Sequence, residues 1–193
     1  KVVLNDLNDK PLAAVVNQIK ELGADAIGIR ADIATDAGAK MVAEGAVSTF
    51  GRIDIQVNNA GVLKRGELLS IEESDWDEHF RVNVKGPLLC SQHSVPFMTA
   101  GGRIINIAST ATRIPRFNLA AYSASKAAMA QLTRVMALEF AGRNITVNAV
   151  APGPTETEMA IGSFLGGDVT KLDAVIKGNL EEYRLGIPLG RLL

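Results

Sequence analysis

Thiols are nearly absent from this chain of 193 residues, which holds one cysteine, Cys90. A lone thiol excludes an intrachain disulfide framework and fits a reducing compartment, so a cytoplasmic location is expected. Cys90 sits in an apolar helical stretch, which predicts a buried structural thiol. Histidine is almost as scarce. His79 and His93 fall on one long helical pattern, and no ligand set with zinc spacing exists, so no metal is expected. Charge of either sign is not in excess: 20 Lys and Arg stand against 21 Asp and Glu. Without a basic stripe, nucleic acid is not an expected partner. No apolar run approaches the ~20 residues of a membrane span, so no membrane partner is expected either. Repeats and low-complexity segments are also missing. No secretory leader opens the chain. It starts on Lys1 and an immediate apolar strand, which reads as a sequence lacking something upstream.

What is present is an alternating pattern. The hydrophobic fraction is 47%, ordinary for a globular chain, and the length suits one domain with a full core. Val2 to Leu4 reads as a strand ending in Asn5-Asp6. Asn8 or Asp9 can cap a helix that has Pro11 in its first turn and ends at Gly23. Ala26 to Arg30 is a second strand, followed by Asp32. Thr35 can cap the next helix, which ends near Phe50-Gly51. Ile53 to Val57 is a third strand, running into Asn58-Asn59-Ala60-Gly61. A long helical region from about Glu73 to Phe97 has an expected irregularity at Gly86-Pro87, with Trp76 and Phe80 as packing residues. A strand at Arg103 to Ala108, a helix from Leu119 to Phe140 and a strand at Thr146 to Ala151 complete the pattern. Strands alternating with helices of this length predict right-handed βαβ units. The expected fold is a doubly wound parallel sheet, Rossmann-like, in three α/β/α layers.

One stretch gathers the reactive groups. Ser109 follows an apolar strand, at the C-terminal end where open α/β sheets place ligands. Tyr122 and Lys126 are four apart on a helix, which puts phenol and ammonium on one face. A free tyrosine has a pKa of about 10, and a fixed positive charge nearby favours the phenolate and lowers it. Taken alone the pair is weak, because Tyr and Lys at this spacing occur on many solvated helices. Met129 and Met136 on the same helix read as core or subunit-interface filler.

With its neighbours the pair becomes specific. The chain contains Asn58-Asn59-Ala60-Gly61, Asn83 within Asn-Val-Lys-Gly, Ser109 thirteen residues before Tyr122, Tyr122-x-x-x-Lys126, and Pro152-Gly153-x-x-x-Thr157. In this order and spacing they resemble the short-chain dehydrogenases/reductases, over essentially the whole chain. The resemblance implies an oxidoreductase that moves hydride between a nicotinamide cofactor and a secondary alcohol or ketone. Tyr122 would be the acid/base, with Lys126 lowering its pKa and bonding the nicotinamide ribose. Ser109 would hold the substrate oxygen. Asn83 would bend the long helix and hold a water that links Lys126 to solvent. Asn58, Asn59, Ala60 and Gly61 would lie beside the adenine ribose, and Asp32 and Ile33 beside the adenine ring. Pro152, Gly153, Thr155 and Thr157 would meet the carboxamide and pyrophosphate. A carboxylate at Asp6 would accept from the ribose hydroxyls and repel a 2′-phosphate, which favours NAD over NADP, though Asp6 also suits a plain turn former.

Two further readings stay open beside this one. A 3-oxoacyl-thioester reductase would carry nearly identical motifs, and a non-catalytic or truncated nucleotide-binding protein could keep the same fold. The family's first strand, Gly-rich turn and helix are not in this sequence, nor are its last helix and strand, so the expectation is one incomplete dinucleotide-binding domain over 1–193. The first strand would sit between the Val2 and Ile53 strands. Residues 152–187 are expected to form a substrate loop containing a helix from about Asp168 to Tyr183. Arg113, Arg116 and Phe117, between Ser109 and Tyr122, are weak candidates for substrate contacts, while Lys64 and Arg65 read as solvated. By the same resemblance the expected assembly is a homotetramer or homodimer.

Overall fold

The computed structural model describes residues 1–157, 159, 162 and 172–192. They fall into two compact units. The first comprises Lys1–Ala60, Lys85–Asn106 and Thr133–Asn148, and the second Gly61–Val84, Ile107–Leu132 and Ala149–Leu193.

In the first unit, strand β1 (Val2–Asp6) pairs in parallel with β2 (Ala26–Arg30), with Asp6 opposite Arg30. A parallel pair needs a crossover, and helix α1 (Asp9–Glu21) supplies it. Leu12 and Val16, four apart on one face, pack with Ala26, Val2 and Leu4. Asn8 was expected to cap this helix, but it makes no side-chain bond there. The Asp6 carboxylate accepts from the Asn8 N–H instead, at 2.8 Å. Helix α2 (Asp36–Phe50) is capped as expected by Thr35, whose hydroxyl accepts from the Gly38 N–H at 3.1 Å. Gly38 is required there, since a Cβ would stand 2.0 Å from the Asp32 carbonyl oxygen.

A second ladder runs β3 (Ile53–Asn58), β4 (Met98–Ile107), β5 (Thr146–Val150), with β3 and β4 parallel. Strand β4 begins earlier than its apolar run, but its pairing jumps from Met98 to Arg103, so the regular part starts where the hydrophobic pattern does. Among the described residues no ladder joins β1 to β3. Each keeps one edge unpaired, and Ile55 and Val57 of β3 are more than half exposed.

The long helical region differs from expectation in where it breaks. It is helix α3 (Glu73–Phe80), a π turn (Arg81–Lys85), helix α4 (Gly86–Ser94) and a 3₁₀ turn (Val95–Phe97). The irregularity precedes Gly86-Pro87 because proline lacks the N–H that would bond the carbonyl of residue 83, so the strain falls one turn upstream. Trp76 and Phe80 stack with ring centroids 4.8 Å apart, the expected packing pair.

Helix α5 (Ala120–Phe140), which belongs to the second unit up to Leu132, begins after Asn118, which has φ 59°. The helix expected over 168–183 is shorter. Its residues 168–171 lie outside the described ones, and the described helix, α6 (Leu172–Lys177), ends before Gly178. A small antiparallel pair follows, β6 (Gly178–Asn179) with β7 (Arg184–Leu185). Gly178 stops the helix: its φ is 89°, and a Cβ there would approach the Arg184 carbonyl oxygen to 2.5 Å.

Candidate active site

The four residues expected to do chemistry, Asn83, Ser109, Tyr122 and Lys126, all belong to the second unit. Ser109 is held by its neighbours. The Ala108 N–H donates to the Val150 carbonyl at 2.8 Å, and the Thr110 N–H donates to the Pro152 carbonyl at 3.0 Å. These bonds lay Pro152 beside Thr110, next to Ser109. The Ser109 hydroxyl accepts from the Ala111 N–H at 3.1 Å and lies near enough to the Tyr122 phenol to lower its pKa. A hydroxyl that accepts from an amide is a better donor to its next partner.

Lys126, 5% exposed, lies one turn from Tyr122 on α5. Its ammonium donates to the Ile107 carbonyl at 2.7 Å and stands 5.8 Å from the Tyr122 ring centroid. Burial pushes the Lys126 pKa down to about 8. Here the structure corrects the sequence reading. Tyr122 is shifted up from its ordinary value, because burial disfavours the phenolate, and the group that lowers it is the Ser109 hydroxyl. The i, i+4 spacing brings Lys126 to the ring but not to the phenol oxygen, because its ammonium is engaged at the end of β4.

Asn83, within the π turn, clamps a neighbouring backbone. Its amide oxygen accepts from the Val62 N–H at 2.8 Å, and its amide nitrogen donates to the Val62 carbonyl at 3.0 Å. That nitrogen also donates to the Ser125 hydroxyl at 3.0 Å, which donates to the Tyr122 main-chain carbonyl at 2.8 Å. Sequence reasoning missed two members of this arrangement. Ser125 is fully buried between Asn83 and the Tyr122 turn, and its signal was a small polar residue three after Tyr122 on the same helix. His79, 1% exposed, bonds the Asp75 carbonyl through Nδ1 at 2.6 Å and accepts from the Lys64 N–H through Nε2 at 3.1 Å. Accepting at Nε2 fixes the neutral tautomer with its proton on Nδ1. Its ring meets that of Tyr122 edge-on at 6.3 Å.

The remaining expected residues of the second unit are Gly61, Pro152, Gly153, Thr155 and Thr157. A Cβ at Gly153 would meet nothing within 4 Å, so this backbone faces open space, and the Thr155 hydroxyl donates to the Gly153 carbonyl at 3.1 Å. Lys64 is not simply solvated: its ammonium is ion-paired with Asp75 at 2.7 Å and Glu78 at 2.6 Å, which raises its pKa.

The first unit carries Asp6, Asp32, Ile33, Asn58, Asn59 and Ala60. Asp6 is exposed and forms the turn to Asn8 described above. The Asp32 carboxylate accepts from the Ala34 N–H at 3.0 Å, and Ile33 is half-buried. Asn59 and Ala60 are exposed at the end of β3. Asn58 is turned inward. Its amide donates to Asn106 at 2.7 Å, and Asn106 donates to the Thr133 hydroxyl at 2.9 Å, a buried polar chain that ties β4 to its neighbours. Cys90 is half-buried, and burial pushes its thiol up to about 11, so it is held as an unreactive thiol. Among the described residues no group of side chains could hold a metal ion, and no helix is long and apolar enough to cross a membrane.

A serine at a strand end near a helical tyrosine, with a buried lysine one turn on, resembles the arrangement expected of a short-chain dehydrogenase. The family model for short chain dehydrogenase matches residues 1–165, and the chain belongs to that family. It is 41% identical over 160 residues to an uncharacterized oxidoreductase of Thermotoga maritima, a match covering 82% of this chain and 63% of that protein. A gluconate 5-dehydrogenase of Burkholderia cenocepacia, solved with NADP and tartrate, is similar at 31% identity and a TM-score of 0.81, covering 96% of this chain and 72% of that one. A short chain dehydrogenase/reductase of Burkholderia phymatum, solved with NAD, is similar at 31% identity and a TM-score of 0.77, covering 80% and 57%. The fold is thus the three-layer, Rossmann-like α/β/α arrangement with a parallel sheet. The chain spans about two thirds of the length of the curated relatives it matches.

Proposed function

We propose that the protein is a nicotinamide-dependent oxidoreductase acting on a secondary alcohol or ketone, with Tyr122 as its acid/base. The observation that carries this reading is the Ser109 hydroxyl set near enough to the Tyr122 phenol to lower its pKa, with the Lys126 ammonium buried one turn away. The donor set fits a nicotinamide cofactor: an open backbone at Gly153 beside Ser109, and a buried cation on the Tyr122 face. The cofactor, when bound, supplies or accepts the hydride.

Everything else is done by the chain. With its pKa raised, Tyr122 is a neutral phenol at physiological pH and is ready to give its proton to a carbonyl oxygen. Ser109 donates its one hydroxyl proton to that same oxygen. Lys126 faces the ring in a poorly solvated place, where its positive charge acts on the developing phenolate more strongly than in water. Asn83 is a positioning residue: its amide is spent on Val62 and Ser125, and through Ser125 it sets the turn that carries Tyr122. Gly61, Pro152, Thr155 and Thr157 are proposed cofactor contacts, as are Asp32, Ile33, Asn59 and Ala60 of the first unit.

Asp6 favours NAD over NADP. Its carboxylate is exposed, and the cation across the ladder, Arg30, is engaged by the Leu7 carbonyl at 3.0 Å and by Asp9 at 3.3 Å. That leaves a carboxylate to accept from ribose hydroxyls and an already engaged guanidinium near it. The test is a titration of the purified protein with NADH and NADPH, followed by nicotinamide fluorescence, with Tyr122→Phe as control. NADH should bind both proteins, and turnover should fall by about 10²–10⁴-fold in Tyr122→Phe. Equal turnover by the variant would overturn the acid/base assignment. Preference for NADPH would overturn the role of Asp6 and favour a 3-oxoacyl-thioester reductase.

A further inference from the structure

Helix α3 and the π turn grip the loop after Gly61 at successive points. Asn83 holds both polar groups of Val62, the His79 Nε2 accepts from the Lys64 N–H at 3.1 Å, and the Lys64 ammonium pairs with Asp75 and Glu78. The loop then reaches Gly66, whose N–H donates to the Asn118 carbonyl at 3.1 Å and which forms a parallel bridge with Leu119. Leu119 opens the turn that carries Tyr122, since its carbonyl accepts from the Ser123 N–H at 2.8 Å. His79 thus meets Tyr122 by two routes. One is this loop, and the other is ring against ring, with centroids 6.3 Å apart and planes at 75°. Val62, Lys64, His79, Asn83 and Tyr122 all belong to the second unit.

The bond to Lys64 needs a bare nitrogen. A carbonyl oxygen only accepts, so Nδ1 carries the proton that meets Asp75, at 2.6 Å, and Nε2 keeps its lone pair. Protonation of the ring puts a second N–H on Nε2, against the Lys64 N–H. An acceptor is lost, and two donors face one another at a residue that is 1% exposed. The charged and titratable groups around the ring come from three elements. Helix α3 itself brings Asp75 and Glu78, and the loop brings the Lys64 ammonium that engages them both. Helix α5 brings the Tyr122 phenol, with the buried Lys126 ammonium one turn further on. An imidazolium at this place finds carboxylates that already serve a cation.

We propose that His79 is a positioning residue for Tyr122 that acts only in its neutral form, so that one protonation releases the loop at Lys64 and loosens the seat of the phenol. The consequence for turnover rests on the oxidoreductase reading, whereas the coupling of the two rings does not. Carbonyl reduction is the direction that shows it. Tyr122 is a neutral phenol and Lys126 a cation throughout the acid range, so neither costs rate as pH falls. Histidine ordinarily titrates between about pH 5 and 8. His93, paired with Asp36 in the first unit, serves as the control.

The chain has two tyrosines and two histidines, so single substitutions assign each ring. Nuclear magnetic resonance of the purified protein should show His79 with a proton on Nδ1 alone at about pH 7.5. Towards about pH 5 its nitrogens should move to the doubly protonated form, and the Tyr122 ring carbons should shift over the same step. In His79→Gln, whose amide oxygen can still accept from Lys64, the Tyr122 step should vanish. Reduction by wild type and by His93→Gln should slow about tenfold over that range, the loss of one hydrogen bond. His79→Leu should stay at the lower rate at every pH and His79→Gln above it, with the cofactor KM unchanged in both. A His79 ring that keeps one proton down to about pH 5, a Tyr122 signal that ignores its titration, or the same acid loss in wild type and a folded His79→Gln would each overturn the proposal. Where the leucine variant fails to fold, the glutamine variant and the wild-type resonances decide. The two readings fail separately. Coupled rings in a protein whose Tyr122→Phe variant turns over normally leave the positioning and remove the acid/base. Turnover lost in Tyr122→Phe, with uncoupled rings in wild type, does the reverse.

Discussion

Lys126 holds its charge where charge is costly. Its ammonium is satisfied by one carbonyl and is otherwise enclosed, and its pKa falls from 10.5 to about 8. Below pH 8 the folded and unfolded chains both hold the proton, and folding bears the full cost of burying it. Between about 8 and 10.5 the folded chain has released the proton and the unfolded chain has not, so stability rises with pH through that window. The span corresponds to about 3 kcal/mol. Urea unfolding of wild type and Lys126→Met should therefore show their stability difference shifting toward wild type by roughly that amount between neutral pH and the upper end of the window. A difference that stays flat would place the Lys126 pKa near its ordinary value. The residue pair itself was legible, because i, i+4 on a helix has one geometry. The direction of the Tyr122 shift was not, because burial and the nearness of Ser109 are set by groups thirteen or more residues away.

At the scale of elements, the π turn decides how the catalytic helix is held. It aims Asn83 at both polar groups of Val62 and at Ser125, three hydrogen bonds from a side chain 1% exposed. Asn83→Leu strands the Val62 N–H and carbonyl, while the Ser125 hydroxyl keeps its bond to the Tyr122 carbonyl, and should cost about 2–6 kcal/mol by urea unfolding, taking 1–3 kcal/mol for each buried group left unpaired. Asn83→Asp keeps the acceptor for the Val62 N–H and loses both donors, so it should fall between. A cost below about 1 kcal/mol for the leucine variant would mean that the clamp is replaced by solvent. Helix α2 was readable from Thr35 to Gly51, where cap and stop signals are local and the hydrophobic pattern is unbroken. The break in the long helix was misplaced at Gly86-Pro87 because a missing N–H acts on a carbonyl four residues earlier. The tail was misread as one helix because Gly178 and the pairing of Asn179 with Arg184 end it after Lys177.

For the whole molecule, the open question is assembly. On α5, Val135 is 41% and Leu138 79% exposed, an apolar pair at i, i+3 on one face. Met129 and Met136 of the same helix are buried and serve the core. A homodimer or homotetramer through this face would cover apolar side chains that water otherwise solvates, and is the expected outcome of sedimentation. Sedimentation should show a species larger than the 20.4 kDa chain, and Leu138→Glu should shift it to a smaller one. A wild type that sediments as a monomer would contradict it.

The sequence by itself determined the order of strands and helices, the family and the spacing of Ser109, Tyr122 and Lys126, because these follow from short-range periodicity and from motifs whose positions along the chain are their signal. Only the tertiary structure decided that Lys126 reaches Ile107, that Ser125 and His79 brace the site, and that Asn58 faces inward. Each of those depends on which distant backbone or charge arrives beside a side chain. Pairings of that range are made by packing and by the need to satisfy buried polar groups, and no local pattern of residues encodes them.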